Sequence, residues 1–219
     1  MLRLIILILM LVTASSIAGA QKSAVEILQE KPNDSWKTGV WDEKRMRDFS
    51  GNDLTFIGDK YLHGDDVEPN RRLAEKLFAA GVKKEPELAS LVGSFYLKRP
   101  AEIQKALLWY VKGLGVGDKN SSDMIGFLTT QAGINLLKHQ NVYDPPNFEA
   151  LALLLTGIHF GDGKASFVIE RQYYRINATL LKNAKERSQK FINNPLLLLQ
   201  QPIFRCEDKA SLSPIPCFY

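Results

Sequence analysis

The chain has 219 residues, of which 45% are hydrophobic and 24% charged, and its formal net charge is +4. That composition excludes a disordered chain, a collagen and a membrane bundle, and two cysteines are too few for a disulfide scaffold. So mild a charge gives no case for nucleic-acid binding.

Residues 1–20 read as an address rather than as part of a domain. Arg3 supplies a basic start, Leu4 to Val12 are apolar throughout, and Ala18 and Ala20 place small residues before Gln21. This is the pattern of a secretory signal peptide cut after Ala20, and its apolar run is too short to span a bilayer. An uncleaved anchor is the alternative. Removing Arg3 with the signal leaves 27 basic and 24 acidic residues, a mature charge of +3. No apolar stretch after residue 20 is long enough for stable membrane insertion.

A leading segment, 21–49, carries a short predicted helix at 22–31 and two tryptophans, Trp36 and Trp41. The pair either covers the first helix pair or anchors a partner. Helix pairs follow at 50–62 with 68–80, at 85–97 with 100–113, and at 121–139 with 147–158. A long helix over 165–190 then opens a fourth copy or closes the array. Asp144-Pro145-Pro146 forces a loop, and Asn147 can cap the helix starting at Phe148. Residues 191–219 hold four of the ten prolines and form a tail, whose Leu196 to Leu199 run is expected to seal the last helix pair.

The pairs repeat one another. Ala106 to Asp118 aligns without gaps on Ala150 to Asp162 with five identities in 13 positions, and Ala74 to Gly81 fits the same frame. Gly81, Gly113 and Gly157 each come seven residues after their alanine, at spacings of 32 and 44 residues, within the range of helix-pair solenoids. In the partner helices, Leu54, Ile57, Gly58 and Tyr61 map onto Ala89, Val92, Gly93 and Tyr96, and more weakly onto Thr129, Ala132, Gly133 and Leu136. A glycine inside a helix costs about 1 kcal/mol against alanine, so Gly58, Gly93 and Gly133 imply a close helix crossing, with Ala74, Ala106 and Ala150 opposite. Leu77/Phe78, Trp109/Tyr110 and Leu153/Leu154 would fill the space between layers. The glycines ending each frame suit left-handed C-caps.

Leu88 to Tyr96 followed by Ala106 to Gly113 resembles a Sel1-like repeat, a longer-looped relative of the tetratricopeptide repeat with a Leu-Gly-x-x-Tyr helix and then Ala-x-x-Trp-Tyr-x-Lys-Ala. Leu54 to Gly81 resembles another copy, with Gly64 to Val67 as its loop. The resemblance spans roughly 51–162, and the third copy departs from it at Leu136 and at Leu153-Leu154. It implies an all-α, right-handed superhelix of antiparallel helix pairs over 50–190, acting as a protein-binding surface rather than an enzyme. Small exported proteins of this kind resemble periplasmic immunity proteins that neutralise phospholipase toxins delivered by type VI secretion. The expected partner is then a secreted lipase effector, and an envelope adaptor or scaffold is the alternative.

Chemistry-bearing residues are sparse. His63, His139 and His159 are isolated in sequence, and neither a metal nor a cofactor is expected. Cys206 and Cys217 enclose ten residues and would pair in an oxidising compartment, the alternative being two free thiols. Residues 164–205 contain eight Lys or Arg and two Glu. On one continuous helix Arg171, Arg175 and Lys182 fall within about 40° of each other. That stripe is either a solvated face or a docking stripe for an acidic partner. Asn33, Asn120 and Asn177 begin Asn-x-Ser/Thr sequences, with Asn177 placed in mid-helix.

Overall fold

The computed structural model describes residues 36, 41–138, 140, 146–172 and 175–204. The proposed signal peptide, the 22–31 helix, His139, Cys206 and Cys217 lie outside these residues. Among the described residues the fold is all-helical, without strands. The chain divides into two compact units between Glu85 and Pro86.

In the first unit, α1 (Glu43–Arg47) leads into a hairpin of α2 (Gly51–His63) and α3 (Arg71–Lys84). Local chemistry sets the ends of α2. Ser50 and Asp53 form a reciprocal capping box, and Gly64 closes the helix at φ +82°, a conformation that suits glycine. Asn70 starts α3 by accepting from the Leu73 amide at 3.0 Å. The α3 helix ends just before Pro86, whose ring disfavours helix in the residue preceding it.

The second unit holds α4 (Ala89–Leu97), α5 (Ile103–Leu114), α6 (Lys119–Lys138), α7 (Phe148–His159), α8 (Gly163–Gln172) and α9 (Ala178–Asn193). Here α4 packs on α5, α5 on α6, and α6 on α7, while both α8 and α9 pack on α7.

One contact recurs in all three hairpins. A β-carbon built on Gly58 would stand 2.7 Å from the Phe78 ring; on Gly93, 2.7 Å from the Tyr110 ring; on Gly133, 2.8 Å from Leu154. Phe78, Tyr110 and Leu154 each lie four residues beyond Ala74, Ala106 and Ala150 and are fully buried. A neighbouring helix backbone comes close at Gly58 and Gly133, whereas at Gly93 the nearest atoms are those of the Tyr110 ring. What fills the glycine notch is the side chain one turn past the alanine, while the alanine carbonyls of Ala74 and Ala150 border it.

The expected C-cap role of Gly81, Gly113 and Gly157 is corrected. All three lie inside helices, where the neighbouring chain leaves no room for a side chain. Gly81 lies against the Gly51 carbonyl and Thr55; Gly157 lies in the same way against Gly126 and Thr130. The left-handed cap falls four residues later in the second and third pairs, at Gly117 and Gly161, with φ of +78° and +92°. The Asp118 amide donates to the Gly113 carbonyl at 3.0 Å and the Asp162 amide to the Gly157 carbonyl at 2.9 Å, the long bond of a Schellman turn. In the second pair a 3₁₀ turn over Pro86–Leu88 replaces the first turn of helix, and Ser121 of α6 covers Gly113 instead.

The predicted helix over 165–190 is also corrected. It breaks between Gln172 and Ala178, and Asn177, in extended conformation, caps α9 by accepting from the Leu180 amide at 2.8 Å. Asn177 is thus a cap and not a mid-helix residue. The freed α9 lies on α7 through Ala184, Ser188 and Phe191, all buried, with Thr156 and Ser188 hydroxyls 3.1 Å apart. Residues 195–200 do more than close the last helices. They pack on α9 and reach back to α5, where the Gln104 amide donates to the Leu199 carbonyl at 3.1 Å. Leu198, Ile203 and Phe204 are buried while Leu196 stays exposed.

Asp118 ties the second pair to α6, accepting from the Asn120 and Ser121 amides and the Ser121 hydroxyl. Burial raises its carboxyl pKa, but hydrogen bonds from Ser121, Ser90 and the two amides outweigh that and hold it below the ordinary value. The stabilisation from this depressed pKa is complete above the unfolded value of about 3.9 and is lost as pH falls through the lower folded value. Asp118→Asn keeps a capping oxygen but not the charge. In urea unfolding, the variant should be less stable than wild type at pH 6, with the gap narrowing at pH 3; a gap independent of pH contradicts this.

Candidate protein-binding surface

The three basic residues expected to form a stripe do not share a helix. Arg171 lies in the last turn of α8 with its guanidinium 4.3 Å from the Phe167 ring centroid. Arg175 lies in the break and donates to Gln172 Oε1 at 2.7 Å, and Lys182 is exposed on α9. The wheel that aligned them assumed a continuous helix, but α8 ends at Gln172 and α9 starts at Ala178, with residues 175–177 outside both.

The basic surface is carried by α9 alone. With Ala184, Ser188 and Phe191 turned to α7, the opposite arc of about 140° carries Lys182, Lys185 and Lys190. At one edge of this arc the side chains of α9 and the start of α7 enclose a cleft of about 450 Å³, lined by Phe148, Glu149, Asn183, Glu186, Arg187 and Lys190. Arg187 Nε meets Glu149 Oε1 at 3.1 Å and so neutralises that carboxylate, while its guanidinium covers the Phe191 ring at 4.8 Å. Phe148 stands at the rim, 41% exposed. Sequence reasoning missed Phe148, Lys185 and Lys190 as surface candidates. Restarting the wheel at Asn177 would have found the two lysines.

Two further aromatics are exposed on other helices of this unit, Phe127 on α6 and Phe167 on α8. The remaining candidates lie elsewhere. His63 ends α2 with Nε2 3.1 Å from Asp59 Oδ1, and His159 ends α7 with its ring edge-on to Phe160. No group of three or more His, Cys, Asp or Glu is placed to hold a metal among the described residues. No described helix is long and apolar enough to cross a membrane.

Repeat-packing residues behave as core. Tyr61, Tyr96, Ala74, Ala106, Trp109, Tyr110 and Ala150 are all buried. Tyr61 also donates its hydroxyl to the Trp36 carbonyl at 2.9 Å, fixing Trp36 half-buried beside α2. Trp41 is 3% exposed, with Phe49 5.2 Å from its ring and the Arg45 guanidinium at 4.3 Å. Two lysines of α3 hold this segment. Lys76 donates to the Trp41 carbonyl, and Lys84 to the carbonyls of Met46, Arg47 and Phe49 at the end of α1. Of the two roles open to Trp41, the packing favours cover over anchor. Trp41→Ala should therefore lower stability by about 3–5 kcal/mol, read as a shifted urea midpoint; an unchanged midpoint contradicts it. Compared with known families and curated proteins, the chain matches no family model and no curated sequence.

Proposed function

We propose that this chain is an exported, protein-binding helical repeat protein, its helix pairs stacked as a right-handed Sel1-like superhelix. We further propose that it serves as a periplasmic immunity protein that binds and neutralises a phospholipase effector of type VI secretion. The observation that carries the protein-binding part is the recurrence of one buried contact in three hairpins, Gly58 on Phe78, Gly93 on Tyr110 and Gly133 on Leu154. Repeated units that spend their small residues on packing leave their outer faces free to vary, which is how repeat proteins build binding surfaces. The exposed Phe127, Phe148 and Phe167 support the same reading, because large exposed aromatics belong to binding surfaces more than to inert ones. The signal-like residues 1–20 support export.

Periplasmic co-expression tests the proposal. Cells directed to export a type VI phospholipase effector encoded beside this chain should survive when the chain is co-exported, and the purified pair should form a stable complex. Survival that does not change, with no complex formed, overturns the immunity proposal. A complex without protection favours an envelope adaptor instead.

A further inference from the structure

The α9 surface differs from the repeat faces in its origin. It exists because the chain breaks after Gln172, so that α9 packs on α7 rather than on α8. Its exposed arc brings three lysines together, with the exposed Glu186 between Lys182 and Lys190 on the same arc. Among the described residues no carboxylate lies within ion-pair distance of Lys182, Lys185 or Lys190. Along its edge runs the cleft, whose rim offers the exposed Phe148 ring and whose wall offers the Asn183 amide. Counting both cleft carboxylates, the patch holds four basic side chains (Lys182, Lys185, Arg187, Lys190) against Glu149 and Glu186, and Arg187 already engages Glu149.

We propose that this surface docks an acidic segment of a protein partner, one that places carboxylates along Lys182, Lys185 and Lys190 and an apolar side chain in the cleft beside Phe148. The charge sets the sign of the partner. Unpaired ammonium groups on one arc favour a carboxylate-bearing surface and speed its approach, an effect that weakens with salt. The cleft sets the second feature. An aromatic rim next to a partly desolvated ion pair accepts an apolar anchor flanked by polar contacts, the usual composition of an energetic centre in an interface. A nucleic acid would favour a larger uniform excess of positive charge, without two carboxylates in the patch. This inference rests on the protein-binding reading above and names the surface and the partner chemistry for it.

A labelled 12-residue peptide of Asp and Glu with two Leu four residues apart, and a control with Lys in place of every acidic residue, test the proposal against the full chain. Anisotropy is read at 50 and 300 mM NaCl, and amide shifts map the site. The acidic peptide should bind at least tenfold tighter than the control, weaken with salt, and shift the amides of Asn183, Lys190 and Phe148. Lys182→Glu combined with Lys190→Glu should weaken it at least tenfold and remove most of the salt dependence. Phe148→Ser should weaken it several-fold with the salt dependence kept. Equal binding by the charge-reversed variant overturns the proposal, as does failure of the acidic peptide to bind. Shifts confined to the surroundings of Phe127 and Phe167 also overturn it, while leaving the protein-binding reading standing. Tighter binding to phosphatidylglycerol vesicles than to the peptide, lost in the same lysine variant, assigns the arc to lipid and overturns the proposal. If the peptide results hold while the co-expression assay fails, the immunity role falls and the docking surface remains.

Discussion

Two helix backbones can run close together only where neither carries a side chain at the crossing, and the rest of this structure depends on that constraint. In the first hairpin Gly51 and Gly81 each lie against the other's carbonyl, so that a β-carbon on either would stand 2.7 Å from it. Gly126 and Gly157 meet in the third, with Thr130 in the place of Thr55. Seven residues, about two turns, further along, Gly58 and Gly133 open notches that receive Phe78 and Leu154. Each interior glycine gives up about 1 kcal/mol of helix propensity, and burial of a Phe or Leu side chain returns about 1.5–3 kcal/mol. The exchange is favourable only while the notch is empty, which is why the same residue types recur at the same spacing.

Much of this was legible in the chain. The Ala–Gly spacing of seven marked the second helices, and the glycines at 58 and 133 marked the crossings, because both follow from helical period and the absence of a side chain. Asn147 as a cap was legible too, since Pro145 and Pro146 exclude helix before it. The partners of Gly81 and Gly157 were not. A glycine near a helix end fits an interior crossing and a left-handed cap equally well from sequence, and only the neighbour decides. Asn177 posed the same ambiguity for the helix break, because asparagine is tolerated in mid-helix and preferred at an N-cap. Taking it as mid-helix placed Arg171, Arg175 and Lys182 on one stripe that the chain does not form.

The break has consequences beyond local geometry. A fourth pair built like the others would put α9 against α8, but of α8 only Ala165 is buried, and Phe167 stays exposed. The α7 helix is apolar around most of its circumference, with Ala150 to Leu154, Thr156 and Gly157 all buried, so it can take α6 on one side and α9 on another. Residues 195–204 then run from α9 back to α5 and bury Leu198 and Phe204. Ala184 and Phe191 of α9, with Leu198 and Phe204 beyond it, are thereby buried, and the lysines of α9 are left outside. Helix packing accounts for which residues are hidden; Phe148 and the three lysines of α9 are among those left exposed.

The claim under all of this is that close glycine crossings, and not general apolar burial, hold the helix pairs in register. A double-mutant cycle at Gly157 and Thr130 tests it most directly, because a β-carbon at 157 collides chiefly with the Thr130 hydroxyl. Gly157→Ala alone should destabilise the protein by about 1–3 kcal/mol despite the gain in helix propensity. Combined with Thr130→Ala, most of that loss should disappear, giving a coupling of about 1 kcal/mol or more in urea unfolding. Strictly additive effects, or a Gly157→Ala protein at least as stable as wild type, would contradict the account.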